Sequence, residues 1–160
     1  MPRSSYWTNS DGLVVGFGPR TVETNSGAQP RSDSVRQEVK VRIKGLDLLD
    51  ADVVAQLHHG VTIPADSLLL SATLFVTTAF AGATAVMDIG TYNAAGTAVD
   101  DDGIDSAVAV ATLVDNAVVT CDGALIGTVL ASDQRIGITY DTAAFTAGEA
   151  WLHVVYIPKG

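Results

Sequence analysis

From residue 35 onward the chain alternates apolar and polar positions with a period of two. In VRQEVKVRIK (35–44), Val35, Val39, Val41 and Ile43 alternate with Arg36, Glu38, Lys40, Arg42 and Lys44, which predicts a strand with one wet face. In SLLLSATLFVTTAF (67–80), Leu68, Leu70, Ala72, Leu74, Val76 and Phe80 share one face and Ser71, Thr73 and Thr77 the other, with Pro64 punctuating the entry. Shorter apolar runs follow at 85–92, 117–121, 124–131, 134–140 and 150–157. Turn-formers separate them: Asn93-Ala94-Ala95-Gly96, Asp122-Gly123 and Ala147-Gly148. Many short strands at this spacing predict an all-β antiparallel sandwich or barrel over residues 35–160. The alternation assigns Val41, Ile43, Leu70, Leu74, Val76, Phe80, Ile136, Ile138, Leu152, Val154 and Tyr156 to its core.

One stretch fits two conformations. DSAVAVATLVDNA (105–117) alternates Ala and Val like a strand, but its alanine content and Asp105 as a cap favour a short helix. Residues 1–34 show no sustained periodicity apart from GLVVGFG (12–18) and are rich in Ser, Thr, Asn, Gly, Pro and Arg, so they cannot close a core of their own. Their Tyr6–Trp7 pair and apolar island are too sticky for a permanently solvated tail. An extended arm that orders on a partner accounts for both features. Arg3, Tyr6, Trp7, Leu13, Val14, Phe17 and Arg20 are its candidate contact residues.

Charge sharpens this division. The net charge is −9, but residues 1–45 hold seven basic side chains against four acidic ones, and the remainder two against fourteen. The arm itself is neutral, with Arg3, Arg20 and Arg31 set against Asp11, Glu23 and Asp33. The basic excess arrives at Arg36–Lys44 and suits an acidic protein partner. So acidic a body repels phosphate backbones, so no nucleic-acid partner is expected. No apolar run reaches the ~18 residues of a membrane helix and the N-terminus lacks a signal-peptide core, so no membrane partner is expected. The single cysteine, Cys121, excludes an internal disulfide and a cysteine-based zinc site. These features suit a soluble chain assembled in a reducing compartment, with Cys121 as a small buried apolar residue.

The chemistry-bearing residues are few. AVDDDGIDSA (98–107) sets Asp100, Asp101, Asp102 and Asp105 close together, without the alternate-position acceptors or the closing Glu of an EF-hand calcium loop. Adjacent aspartates in a glycine-containing turn face water and ionise together, so a solvated turn with a helix cap is expected rather than a metal or an acid–base site. His58 and His59 are adjacent, which in a strand sends them to opposite faces and away from a shared metal. His153 falls in the apolar last strand, as a hydrogen-bonded structural histidine. There is no G-x-S-x-G elbow, and GFGPRT (16–21) has Thr21 where a dinucleotide loop needs its third glycine. No catalytic, cofactor-binding or metal residues are assigned, and an enzyme is not expected.

SDGLVVGFGPR and VTIPADSLLLSATLFVTTAF, continued by MDIGTYNAAGTAVDDDGIDSAVAVATL, CDGALIG and AAFTAGEAWLHVVYI, resemble a group of tailed-bacteriophage virion proteins over most of the chain. The resemblance implies a structural component of the particle with a jelly-roll-like sandwich, such as a cement or decoration protein on the outer capsid face. The implied partners are the major capsid protein and further copies of this chain, with a homotrimer favoured. The implied location is the virion surface, after assembly in the host cytoplasm. The rival from another class is a receptor- or glycan-binding module of a tail or head fibre. Such a site displays aromatics on loops, and Tyr92 and Phe145 are the only ones near predicted loops.

Overall fold

The fold is that of a computed structural model, which describes residues 6–8, 14–16, 36–50 and 56–159; for 6–8, 14–16, 49–50 and 56–61 only the backbone is described. The chain divides into two compact units, Met1–Asp33 and Ser34–Gly160. In the first, β1 (Tyr6–Thr8) and β2 (Val14–Gly16) pair antiparallel with Trp7 opposite Val15.

The second unit is an all-β, jelly-roll-like sandwich. Its four-stranded sheet is antiparallel and runs β3 (Gln37–Lys44), β11 (Ala147–Ile157), β6 (Leu68–Ala81), β9 (Val118–Cys121). The facing sheet runs β4 (Leu49–Asp50), β10 (Gln134–Asp141), β7 (Val86–Tyr92), β8 (Ala98–Ala109). A fifth strand, β5 (Gln56–Ile63), shares the outer edge of β10 with β4. The β4–β10 pair is the one parallel pairing among the described residues. Between the sheets lie Ile43, Leu74, Met87, Ile89, Ile104, Ile136, Ile138 and Leu152, all fully buried. Phe80 and Phe145 close one end edge-to-face, with ring centroids 5.3 Å apart.

Ten of the eleven expected core residues are buried; Leu70 is the exception. Tyr156 pairs with Leu69 while Val155 pairs with Ser71, so β6 carries one extra residue at that point. This bulge shifts the strand's phase: Leu69 is fully buried, and Leu68 and Leu70 are half-buried. The expected helix over 105–117 is also corrected. Residues up to Ala109 continue β8, with Val108 opposite Met87 and Ala109 opposite Val86, and only the single turn Val110–Thr112 is helical, of the 3-10 type. Ala107 has φ of 51°, which breaks a helix there, and its N–H donates to Asp88 Oδ1 at 2.7 Å. Cross-strand pairing outweighs the weak helix preference of alanine. The run 124–131 is likewise a turn followed by a single bridge from Val129 to Leu68, not a strand.

Candidate functional site

The expected contact residues divide between described and undescribed positions. Tyr6 and Trp7 lie in β1 and Val14 in β2, whereas Arg3, Leu13, Phe17 and Arg20 lie outside the described residues. His58 and His59 fall in β5, of which only the backbone is described at those positions.

In the sandwich, β3 alternates buried Val39, Val41 and Ile43 with exposed Lys40, Arg42 and Lys44, so the basic residues line the outer face of an edge strand. Arg42 stands opposite Trp151 of β11, and Trp151 opposite Phe75 of β6, which in turn faces Val118 of β9. The three apolar members of this row are 42%, 42% and 64% exposed. Arg42 donates Nε and an Nη to the Glu149 carboxylate at 2.8 and 2.9 Å. This bidentate pair raises the Arg42 pKa and lowers that of Glu149. His153 is not in the core but on this outer face, its Nε2 3.1 Å from Glu38 Oε2. Period two already contained the exposed row: with Leu74, Val76 and Leu152 inward, Phe75 and Trp151 must point outward.

The aspartates are not a turn. The turn lies earlier, at 93–97, where Asn93 Oδ1 accepts from the N–H groups of Ala95 and Thr97 at 2.9 and 3.0 Å. Asp100, Asp101 and Asp102 instead begin a wide bulge in β8. Ile89 pairs with Asp105 and Thr91 with Asp100, so three positions of β7 span six of β8. The bulge crosses the sheet at Gly90, where a Cβ would lie 2.2 Å from the Asp100 and Asp101 carbonyl oxygens. Gly137, directly opposite Gly90, leaves room for the Tyr92 ring in the same way.

Water does not surround all these carboxylates. Asp105 is buried, its Oδ1 accepting from Ser106 N–H at 3.0 Å, and Asp100 is half-buried. Burial, reinforced by neighbouring carboxylates, raises the pKa of Asp88, Asp100 and Asp105. Burial and the adjacent Asp105 push the Cys121 thiol up to about 12, so it is no thiolate nucleophile at neutral pH. Among the described residues, Asp100, Asp101 and Asp102 are the group able to hold a cation, with carboxylate oxygens within 4.8 Å of one another.

The raised carboxyls carry a signed consequence. In the window between the ordinary value of 3.8 and the raised native values, the folded chain binds more protons than the unfolded one, so stability falls as pH rises through it. The lowered Glu149 acts oppositely, but on an exposed pair. The melting temperature is therefore expected to rise, read by calorimetry, as pH falls through the raised native values toward 3.8, and Asp105→Asn to flatten that slope. A melting temperature that falls over this interval in the parent chain would contradict the sign.

The two aromatics expected near loops, Tyr92 and Phe145, are both buried. They offer no loop platform for a sugar.

No protein-family profile and no curated protein sequence matches the chain. Two solved structures match the chain. One is a chain of the cyanophage Pam1 capsid asymmetric unit, at TM-score 0.55 and 15% identity, the match covering 89% of this chain and 100% of that one. The other is a chain of the Ralstonia phage GP4 capsid, at TM-score 0.48 and 15% identity, covering 83% and 92% respectively.

Proposed function

We propose that the chain is a structural virion protein that decorates and stabilises the outer surface of a phage capsid, held to the major capsid protein by its N-terminal arm. The observation that carries this reading is the fold, which over 89% of this chain is similar to the whole of a chain from a phage capsid. Fold alone assigns no function. The division of the chain into a short strand-paired unit and a larger β unit adds to it, as does the contrast between a neutral first unit and an acidic second one. Binding the assembled lattice but not loose subunits stabilises the shell by mass action. Several copies associate around a local symmetry axis, as a homotrimer, because a closed ring lets every copy reuse the same contacts.

Deletion of residues 1–30, and separately Tyr6→Ser with Trp7→Ser in the full chain, tests the arm. The expected outcome is unchanged far-ultraviolet circular dichroism with roughly tenfold or weaker retention on purified particles stripped of the native protein, since buried aromatic anchors contribute ~2 kcal/mol or more each. Full retention by both variants would move the interface to the sandwich.

A further inference from the structure

The bulge of β8 holds three consecutive carboxylates against one another. Asp100, Asp101 and Asp102 can each bring one oxygen to within 4.8 Å of the others. The ion pairs among the described residues, Arg42–Glu149, His153–Glu38 and Lys159–Asp66, include none of them. The strongest charges acting on Asp100 are those of Asp102 and Asp101, and on Asp88 of β7 those of Asp141, Asp102 and Asp101. The segment is not free to spread and relieve this repulsion. Its backbone lies against Gly90, and its far end is tied by Gly123 N–H donating to Ile104 O at 2.9 Å and Leu125 N–H donating to Gly103 O at 2.8 Å. A second, independent feature lies beside the carboxylates. Thr91 is fully buried, and its Oγ1 finds no hydrogen-bond partner in the protein. It stands directly opposite Asp100 in the β7–β8 ladder, so the two side chains leave the same face of the sheet side by side. A buried hydroxyl without a partner is costly unless an ion or water completes it.

We propose that Asp100, Asp101 and Asp102 form a calcium site, with the Thr91 hydroxyl as a neutral oxygen donor on its inner side. The donor set selects the ion. Every donor is a hard oxygen, which suits calcium or magnesium over zinc or copper. Calcium accepts about six to eight oxygens in flexible geometry, whereas magnesium demands a near-ideal octahedron, and three carboxylates on one irregular bulge suit the first. Water completes the coordination, since Asp101 and Asp102 are exposed. The spacing is not that of an EF-hand loop, because here the bulge and its neighbouring strand gather the ligands. Bound calcium offsets the mutual repulsion of the aspartates and ties the bulge to β7 at Thr91, fixing the segment over Gly90. The site goes beyond the capsid reading and stands whether or not that reading holds. The pH dependence described above belongs to the calcium-free chain.

The test uses the full chain in three forms: parent, Asp101→Asn with Asp102→Asn, and Thr91→Val. Isothermal titration with calcium chloride after removal of chelator reads binding, scanning calorimetry reads the melting temperature, and circular dichroism checks the fold. The parent is expected to bind one calcium ion with a dissociation constant on the order of 0.1–1 mM, as weak calcium modules do. It is expected to melt roughly 3–8 °C higher in about 10 mM calcium than in EDTA, a gain that sodium chloride of matched ionic strength does not reproduce. The Asn variant is expected to keep its fold and lose roughly tenfold or more in affinity, and with it the thermal gain. Thr91→Val keeps the side-chain volume and removes only the unpartnered hydroxyl. It is expected to bind calcium roughly threefold or more weakly, yet to melt no lower than the parent in EDTA. A purely structural Thr91 would instead shift both conditions equally. No saturable heat up to about 10 mM calcium, an equal gain in sodium chloride, or an undiminished gain in the Asn variant overturns the site. Unchanged affinity in Thr91→Val overturns the part assigned to Thr91, and equal affinity for magnesium chloride overturns the choice of calcium.

Discussion

Gly90→Ala is expected to be the most damaging single-methyl addition in the sandwich. The new Cβ would come 2.2 Å from the carbonyl oxygens of Asp100 and Asp101 and equally close to the Asp101 carbonyl carbon. These are backbone atoms, which cannot swing aside as the end of a long side chain does. Either β7 separates from the bulge or the bulge lifts from the sheet, and both outcomes disturb the register that pairs Ile89 with Asp105. Overpacking of a well-packed interior costs ~1–3 kcal/mol, and backbone contact places this site at or above the upper end. In a domain of this size that corresponds to a fall in melting temperature on the order of 10 °C. Calorimetry of Gly90→Ala beside the exposed-site control Ser106→Ala measures it. A fall no larger than the control's would mean that the aspartate segment does not cross the sheet at Gly90.

Leu74→Ala is expected to cost a similar amount by the opposite route, removing packing instead of adding it. Leu74 is fully buried in the middle of β6, between Leu152 of β11 and Val119 of β9. Close-packed neighbours on both sides leave the site little freedom to collapse, so the lost transfer energy and the cavity add to ~2–5 kcal/mol. Phe75→Ala, one residue along, removes a larger side chain but from the outer face, where 42% of it is already exposed. It is expected to cost less than half as much when urea titrations of the two variants are compared. Equal losses at the two positions would mean that the faces of β6 are assigned wrongly.

Much of the fold was legible before any coordinates, because the features concerned are local. Alternation along β3, β10 and β11 identified their inward residues, since successive side chains of an extended chain must point to opposite sides. The same rule held along β6 from Ala72 to Val76 and failed at Leu70, where the bulge is set by the pairing with Val155 and Tyr156. Nothing near Leu70 in the chain records that pairing. The candidate site divides in the same way. The basic row of β3 is written in consecutive residues, whereas Trp151, Phe75 and Val118 are far apart in the chain and become one exposed row only through the pairing of β11, β6 and β9.

Sequence alone determined that the larger unit is predominantly strand, that Lys40, Arg42 and Lys44 share a wet face, and that positive charge concentrates early in a chain otherwise acidic. Each of these depends on spacing or on counting, which needs no partner. Only the tertiary structure decided that 105–109 is strand and not helix, that the aspartates bulge over Gly90, and that Asp105 is buried. The physical reason is that alternation is a property of one strand, while register, bulges and the burial of polar groups are properties of strand pairs. A strand pair is chosen by the hydrogen bonds and packing of segments distant in the chain.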